Sequence, residues 1–313
     1  MKAVFAWHRP LMTVAALMIV STIVCLVGLL VDPRQITGVD AWAKPLKFSL
    51  SILLYSVTWA WLIAHLPRWR RIAHAAGTVV AVALIVEQVL IVGAAAAGTT
   101  SHFNVSSPLA SAIWGVMAIS ITTLYVCTFV TTIAVFFLRL STRSTTIAVR
   151  AGAVIALAGL GLAYLMTGPT TAQLADFRGI VGAHTVGLAD GGPGLPVLGW
   201  STVGGDLRIP HFIGMHALQL LPLFAVLLGW AGRRWRPLAD DRVRTRLVVV
   251  ATVAYAAGLA LVTVQALAGQ SIVRPDGVFL AAGWAIVLAA LVAAAAILTF
   301  RPRPIPSPTL AHA

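Results

Sequence analysis

Apolar residues occupy eight long segments of this chain, and short polar stretches separate them. Each segment is longer than the roughly 17 residues that an α-helix needs to cross a bilayer. The pattern predicts an all-α, polytopic bundle of about eight transmembrane helices, which forms one integral membrane domain over residues 1–313. The predicted helices cover residues 11–31, 45–66, 72–98, 108–139, 146–168, 210–231, 245–268 and 277–299.

The first segment also has some features of a signal peptide, because Lys2 and Arg9 precede an apolar run. The run from Leu11 to Val31 is 21 residues long, however, and it leads into Asp32-Pro33 rather than into a small-residue cleavage site. We therefore interpret it as an uncleaved first transmembrane helix.

Basic residues lie mostly on one side of the predicted bundle. The N-terminus, the second, fourth and sixth loops and the C-terminal tail hold 16 of the 22 Lys and Arg residues, and the other loops hold six. Because Lys and Arg collect in cytoplasmic loops, we expect both termini in the cytoplasm. The net charge of +13 then indicates contact with anionic lipid rather than with nucleic acid.

Composition supports a membrane protein, since 59% of the residues are hydrophobic, 10% are charged and the mean hydropathy is +0.94. A soluble domain carries about 25% charged residues. The abundance of Arg, Ala, Val and Gly indicates a bacterial source, so we predict the bacterial plasma (inner) membrane as the location. Cys25 and Cys127 both lie inside apolar segments, without metal-ligand spacing.

Residues 169–209 form the only long predicted loop, and they precede the richest polar stretch. We expect this loop to be extracytoplasmic and ordered against the outer mouth of the bundle, because it contains several large apolar side chains. These are Leu188, Leu195, Val197, Leu198 and Trp200.

The polar stretch runs from Asp206 through Arg208, His211 and His216 to Gln219, at the start of the sixth helix. His216 lies about 9 Å down that helix, and Gln219 shares its face at a spacing of three residues. His211 is about 140° away around the helix, so the two histidines do not point together. All five residues are candidates for binding a ligand or for a proton network.

Glu87 is the only glutamate of the chain and lies near the middle of the third apolar segment. A buried ionisable residue in a membrane is usually functional or paired. The alternative is a protonated carboxyl group that serves helix packing alone. We predict that Glu87 shares one buried polar network with His216 and Gln219, because their depths along the third and sixth helices nearly match.

His102 and Asn104 lie in the turn before the fourth helix, at the outer mouth. We treat both as ligand-binding candidates, with an ordinary exposed turn as the alternative for His102. His102 and His216 are also weak metal-ligand candidates.

The first loop carries three basic residues that oppose the general charge pattern, Arg34, Lys44 and Lys47. They are candidates for an anion contact at the entrance of the bundle. The alternative is local pairing with Asp32 and Asp40.

Four motifs together resemble an uncharacterised family of bacterial multi-pass inner-membrane proteins. They are Asp32-Pro-Arg, Trp42-x-Lys-Pro-x-Lys-Phe48, Ser101-His-Phe-Asn104 and Gly205-Asp-Leu-Arg-x-x-His-Phe-x-Gly-x-His-x-x-Gln219. The resemblance covers most of the first six helices, and it implies a membrane fold without implying an activity.

Three functions fit these observations. The first is the binding or transport of a small ligand or ion through an outward-opening polar pocket. The second is a membrane redox protein that binds haem b or a quinone through the outer histidines. The third is a non-catalytic accessory or assembly subunit. The chain has no P-loop, nucleophile elbow or zinc-protease motif, which favours a non-enzymatic role. The predicted partners are lipid and a small ligand, and the oligomeric state is left open.

Overall fold

The computed structural model describes residues 2–299, with side chains from residue 4 onward. The C-terminal tail, whose Arg301 and Arg303 entered the charge count, lies outside the described residues. The helices are α1 (Lys2–Phe5), α2 (Arg9–Val31), α3 (Ala43–His65), α4 (Arg70–Ala96), α5 (Pro108–Val135), α6 (Arg143–Leu162), α7 (Thr171–Ala175), α8 (Arg208–Met215), α9 (Ala217–Ala231), α10 (Asp241–Leu267) and α11 (Gly277–Thr299).

The few strands are two residues long and lie in the loops. Strand β1 (Gln35–Ile36) pairs with β2 (Val39–Asp40), and β3 (Thr185–Val186) pairs with β4 (Gly205–Asp206), both antiparallel. Short 3₁₀ turns occupy Ala163–Met166 and Arg236–Leu238.

Within residues 2–299, seven helices are long and apolar enough to cross a membrane, namely α2 to α6, α10 and α11. The pair α8 and α9 passes the same test together, as an eighth span that is bent by 45°. The predicted fold class of a polytopic helical bundle is therefore confirmed, and the chain is a multi-pass membrane protein. The predicted 108–139 helix is shorter than expected, because α5 ends at Val135.

The sixth predicted segment, 210–231, is wrong as a single continuous helix. In the structure the helix begins at Arg208 and is broken at His216, which separates α8 from α9. In a straight helix the carbonyl oxygen of Ile213 would accept a hydrogen bond from the amide four residues later. Here the hydroxyl group of Tyr255 donates to that oxygen over 2.5 Å. The neighbouring helix thus satisfies a polar group that the break exposes within the membrane.

Small residues on α6 allow its backbone to touch the broken pair. A Cβ atom on Gly159 would lie 2.3 Å from the backbone of Gly214, and one on Gly152 would lie 2.9 Å from the carbonyl oxygen of Ala217. Close approach of this kind needs glycine, because a Cβ atom would clash at these distances. Tight packing stabilises helix contacts in the membrane, where lipid offers no hydrophobic driving force between helices.

The helices form two groups that meet along α3, α5, α6 and α9. In the first group α3 packs against α2 and α4, and α5 packs against α4. In the second group α6, α8, α9 and α10 pack together. Helix α11 packs against α10 and has no buried residue.

The bundle has two ends, which differ in the segments that they carry. One end carries residues 97–107 and 163–207, and we call it the loop end. The opposite end carries residues 66–69 and 232–240 together with the start of α2, and we call it the basic end.

Candidate functional site

The long segment between α6 and α8 is folded onto the loop end of the bundle. The amide of Val105 donates to the carbonyl oxygen of Gly179 over 2.8 Å, and the amide of Val181 donates to that of Phe103 over 2.8 Å. Of the five apolar side chains expected to pack, Leu188 and Val197 are exposed. Leu195, Leu198 and Trp200 are half-buried, so backbone hydrogen bonds and partial apolar packing both contribute to the order of this segment.

Lys44, at the start of α3, reaches His102 in the turn between α4 and α5. The Nζ atom of Lys44 lies 3.1 Å from Nδ1 of His102, and Oγ of Ser101 lies 2.9 Å from the same atom. Because an ammonium group can only donate, Nδ1 of His102 accepts and the imidazole is neutral. Burial lowers the pKa of His102 well below its ordinary value, and the charges of Lys44 and His184 lower it further.

The His102 ring also packs between aromatic side chains. Its centroid lies 5.8 Å from that of Phe48 and 5.7 Å from that of Trp114. The alternative of an ordinary exposed turn histidine is therefore wrong, because the ring is held by aromatic packing and by Lys44.

A histidine–aspartate pair lies beside this group, in the long segment. Nδ1 of His184 is 2.5 Å from Oδ2 of Asp190. Asp190 also accepts from the amides of His184 and Thr185 and from the hydroxyl group of Thr185. Burial alone would raise the pKa of Asp190, but the hydrogen bonds and charge of His184 and the amides lower it below its ordinary range. The carboxylate therefore stays ionised and orients the imidazole.

Asp206 and Arg208 form a second ion pair at the start of α8. Asp206 is 1% exposed and accepts from the amides of Ser201 and Arg208 as well as from the guanidinium group of Arg208. The guanidinium group also donates to the carbonyl oxygen of Gly199 over 2.6 Å. These two candidates thus join the long segment to α8.

Lys47 lies one turn after Lys44 on α3, and its Nζ atom donates to the carbonyl oxygen of Leu198 over 2.6 Å. Lys44, Lys47 and Arg208 are close enough to repel one another, while Asp190 and Glu87 attract Lys44, and Asp206 attracts Lys47, from beyond ion-pair distance. Among residues 4–299, neither lysine takes part in an ion pair with a carboxylate. The loop end therefore contains two half-buried positive charges that no carboxylate neutralises directly.

The alternative of local pairing holds for Arg34 only. Its guanidinium group binds Asp32 over 2.7 Å and donates to the carbonyl oxygen of Ala96. Asn104 stabilises its own turn, since its Oδ1 atom accepts from the amide and hydroxyl groups of Ser106. Arg34 and Asn104 are thus structural contacts in this arrangement.

His216 and Gln219 line one small cavity beside α3, as their shared helix face predicts. Nε2 of His216 lies 3.4 Å from Oγ of Ser51, and the amide of Gln219 donates to Thr58 over 3.2 Å. Tyr55 and Thr128 also line the cavity, whose volume of about 10 Å³ has room for about one water molecule. His211 lies apart from it, because its Nδ1 atom is 2.8 Å from the carbonyl oxygen of Gly159.

Glu87 faces the interior as expected, but the predicted network with His216 and Gln219 is wrong. Neither carboxyl oxygen of Glu87 has a hydrogen-bond partner in the described part of the chain. Helix α3 contacts both α4 and α9, whereas α4 and α9 share at most a marginal contact. Matching depth along two helices does not make them neighbours.

Sequence reasoning missed several polar residues of the interior. His184 and Asp190 were seen only as members of a long loop, although their spacing allows a local pair. Gln88 donates to the hydroxyl groups of Ser21 and Ser49 over 2.9 and 2.8 Å. The position of Gln88 next to Glu87 inside an apolar segment was the only available signal for this cluster.

The histidines of the loop end are spread over separate contacts rather than gathered in one cluster. Residues 4–299 contain no group of three or more His, Cys, Asp or Glu side chains placed to hold a metal ion. The cavity beside His216 is far too small for a haem, and His102 is packed among aromatic rings. His102 and His216 lie at different depths along α3, against Lys44 and Ser51.

Comparison with protein-family models, curated proteins and solved structures gives no match for this chain. The resemblance to a bacterial membrane family therefore stays a prediction.

Proposed function

We propose that this multi-pass protein binds a small anion, a carboxylate or phosphate compound, at the loop end and carries it into the bundle. The observation that carries the proposal is the pair of half-buried lysines, Lys44 and Lys47, that lack a carboxylate partner. Burying positive charge without a counter-charge is costly. A bound anion would offset that cost and the repulsion from Arg208.

The neighbouring groups hold both ammonium groups in place before the anion arrives. His102 accepts from Lys44, and the carbonyl oxygen of Leu198 accepts from Lys47. Each ammonium group has three donors, so two donors on each remain for a ligand. Positioned charges of this kind reduce the entropy that binding must overcome.

Two features favour transport over simple binding. Polar side chains continue from the lysines along one face of α3, at spacings of three or four residues, over about 21 Å. They are Lys44, Lys47, Ser51, Tyr55 and Thr58. The break between α8 and α9 lies beside this face at His216. Interrupted helices next to a polar interior are typical of transporters.

For the location, we propose the bacterial plasma membrane, with both termini in the cytoplasm and the loop end outside it. The support is the uneven distribution of Lys and Arg, with 16 on one side and six on the other. The anion would then enter from outside the cell.

The test is thermal unfolding of the detergent-purified protein in sodium phosphate, sulfate, acetate or succinate, against chloride at equal ionic strength. At 100 times the Kd, binding stabilises the folded state by about 2.7 kcal/mol. We expect at least one of these anions to raise the Tm of the wild-type protein and to have little effect on the Lys44→Gln/Lys47→Gln double variant.

The matched control is Arg178→Gln, which removes a cation at the loop end whose side chain is 83% exposed. This variant should respond to the anions as the wild type does. An equal response of the double variant, or no response of the wild type to any of the four anions, contradicts the proposal.

A further inference from the structure

Glu87 is an unusual group even for the interior of a membrane protein. Its side chain is 1% exposed, and both carboxyl oxygens lack a hydrogen-bond partner within residues 4–299. An ionised carboxylate in such a place is several kcal/mol less stable than in water. Glu87 is therefore protonated unless a positive charge compensates it.

Lys44 is the charged side chain close enough to act on the Glu87 carboxylate. Helices α3 and α4 are packed together at the level of these two residues, because the side-chain amide of Gln88 donates to the carbonyl oxygen of Pro45 over 3.3 Å. Glu87 and the loop-end anion therefore have one cation in common.

Within residues 4–299, the other helices that pack against α4, namely α2 and α5, bring no second charged group to Glu87. Helix α2 contributes the thiol of Cys25, which lies beside Ser21 and Ser49. On α5, Tyr125 packs against Tyr164 and Cys127 lies near Tyr55.

We propose that Glu87 is a proton-binding site whose carboxylate competes with the loop-end anion for the charge of Lys44. The inference rests on the proposed anion site. When an anion occupies Lys44, the Glu87 carboxylate loses its compensating charge and takes up one proton from water. When Glu87 is protonated, Lys44 is free to hold the anion. Proton and anion therefore bind together, as a proton-coupled carrier requires.

Thermodynamic linkage makes this relation reciprocal. If anion binding favours protonation of Glu87, then protonation of Glu87 strengthens anion binding by the same factor. Coupling between sites in proteins is commonly about 5- to 150-fold. We expect at least about a fivefold effect here, because both ligands act on the same ammonium group.

Dicyclohexylcarbodiimide tests the inference directly, since this hydrophobic reagent modifies protonated carboxyl groups. The full chain in detergent is treated over a range of pH, and the modification at Glu87 is quantified by peptide mass spectrometry. We expect modification at neutral pH that falls as pH rises. A Lys44→Gln variant should stay reactive to a pH about one unit higher, which is a tenfold change in proton affinity.

Sodium sulfate should shift the wild-type profile in the same direction relative to chloride, and it should not shift the Lys44→Gln profile. Sulfate is the probe because its charge is constant over this range. The Arg178→Gln control should match the wild type in both salts. If Lys44→Gln does not fold by size-exclusion chromatography, Lys44→Met replaces it, because its unbranched side chain preserves the packing.

The outcomes separate this inference from the proposed function. A profile that does not respond to the Lys44 substitution, or an absence of modification at Glu87, overturns the competition even if anions stabilise the protein. A response to the substitution without any response to sulfate, in a protein that sulfate stabilises, also overturns it. If none of the four anions stabilises the protein, the anion site itself fails and the competition fails with it.

Discussion

The loop end and the basic end of the bundle use their polar side chains differently. At the basic end, charged side chains form hydrogen bonds with backbone groups near the helix termini. Asp241 accepts from the amide of Arg143 over 2.8 Å, and Arg244 donates to the carbonyl oxygen of Leu238 over 2.8 Å. At the loop end, Asp206 and Arg208 act in the same way, whereas Lys44 and Lys47 contact His102 and the carbonyl oxygen of Leu198 without an ion pair. A cation without an ion pair is not distinctive by itself, because Arg150 at the basic end also lacks one within residues 4–299 and donates to the carbonyl oxygen of Leu138. The loop end differs in that two such cations, Lys44 and Lys47, are close enough to repel each other.

The largest expected effect comes from breaking the buried pair at the loop end. Asp206→Ala removes the carboxylate that holds Arg208 and the amide of Ser201. Breaking a buried ion pair costs about 3–5 kcal/mol, and we expect about 3 because Arg208 is 26% exposed. Thermal or denaturant unfolding in detergent measures the change.

The matched control is Asp176→Ala, which breaks a loop-end ion pair with side chains 83% and 64% exposed. Exposed pairs contribute about 0–1 kcal/mol, so its unfolding should change little. Similar losses of stability in the two variants would show that burial of the Asp206–Arg208 pair does not increase its contribution to the free energy of unfolding.

A smaller, pH-dependent effect is expected at the basic end. His8 is 1% exposed, its Nδ1 accepts from the amide of Leu11, and its Nε2 lies 3.0 Å from the carbonyl oxygen of His74. Burial lowers the pKa of His8 below 6.5. The unfolded chain therefore takes up a proton first, and stability falls as pH drops below about 6.5, by at most about 1.4 kcal/mol per pH unit.

His8→Asn keeps a side-chain acceptor at the start of α2 and removes the titration. Unfolding at pH 7.5 and at pH 5.5 should show a larger loss for the wild type than for this variant. Equal losses in both proteins would mean that His8 does not contribute to the acid sensitivity.

The smallest effect concerns Asp241 in the first turn of α10, whose carboxylate contacts the start of α6 at the basic end. Asp241 accepts from the hydroxyl group of Ser144 over 2.6 Å as well as from the amide of Arg143. An acidic side chain at a helix N-terminus contributes about 0.3–1 kcal/mol, so Asp241→Ala should destabilise the protein by about 1 kcal/mol. A loss of stability as large as that of Asp206→Ala would show that the acidic side chains of the two ends contribute equally to the free energy of unfolding.

Most of the fold could be predicted from the sequence, because the bilayer limits what an apolar segment can do. A run such as residues 11–31 must satisfy its backbone internally, so its hydropathy alone indicates a helix. The break at His216 could not be predicted in this way. It depends on Tyr255, which lies 42 residues away in the chain and donates to the Ile213 carbonyl oxygen.

The candidate site could be predicted only in part, because local sequence patterns do not show which helices are neighbours or how an irregular loop is folded. Lys44 and His102 were both expected at one mouth of the bundle, and the structure brings them together. The position of Glu87 relative to His216 depends on which helices are neighbours, and helical periodicity carries no information about that. The pair of His184 and Asp190 depends on the path of an irregular segment, in which the Asp190 carboxylate accepts from the amide of His184 and contacts its ring.

Helix α11 has no buried residue, and this affects how the chain can change over time. Its side chains face lipid or pack against α10 alone, so its sequence is constrained by few neighbours. Helix α3 is the opposite case, since its side chains contact α4, α9, the α4–α5 turn and the long segment. Among diverging descendants of this chain, α11 is where substitutions would accumulate fastest, and α3 is where they would be removed.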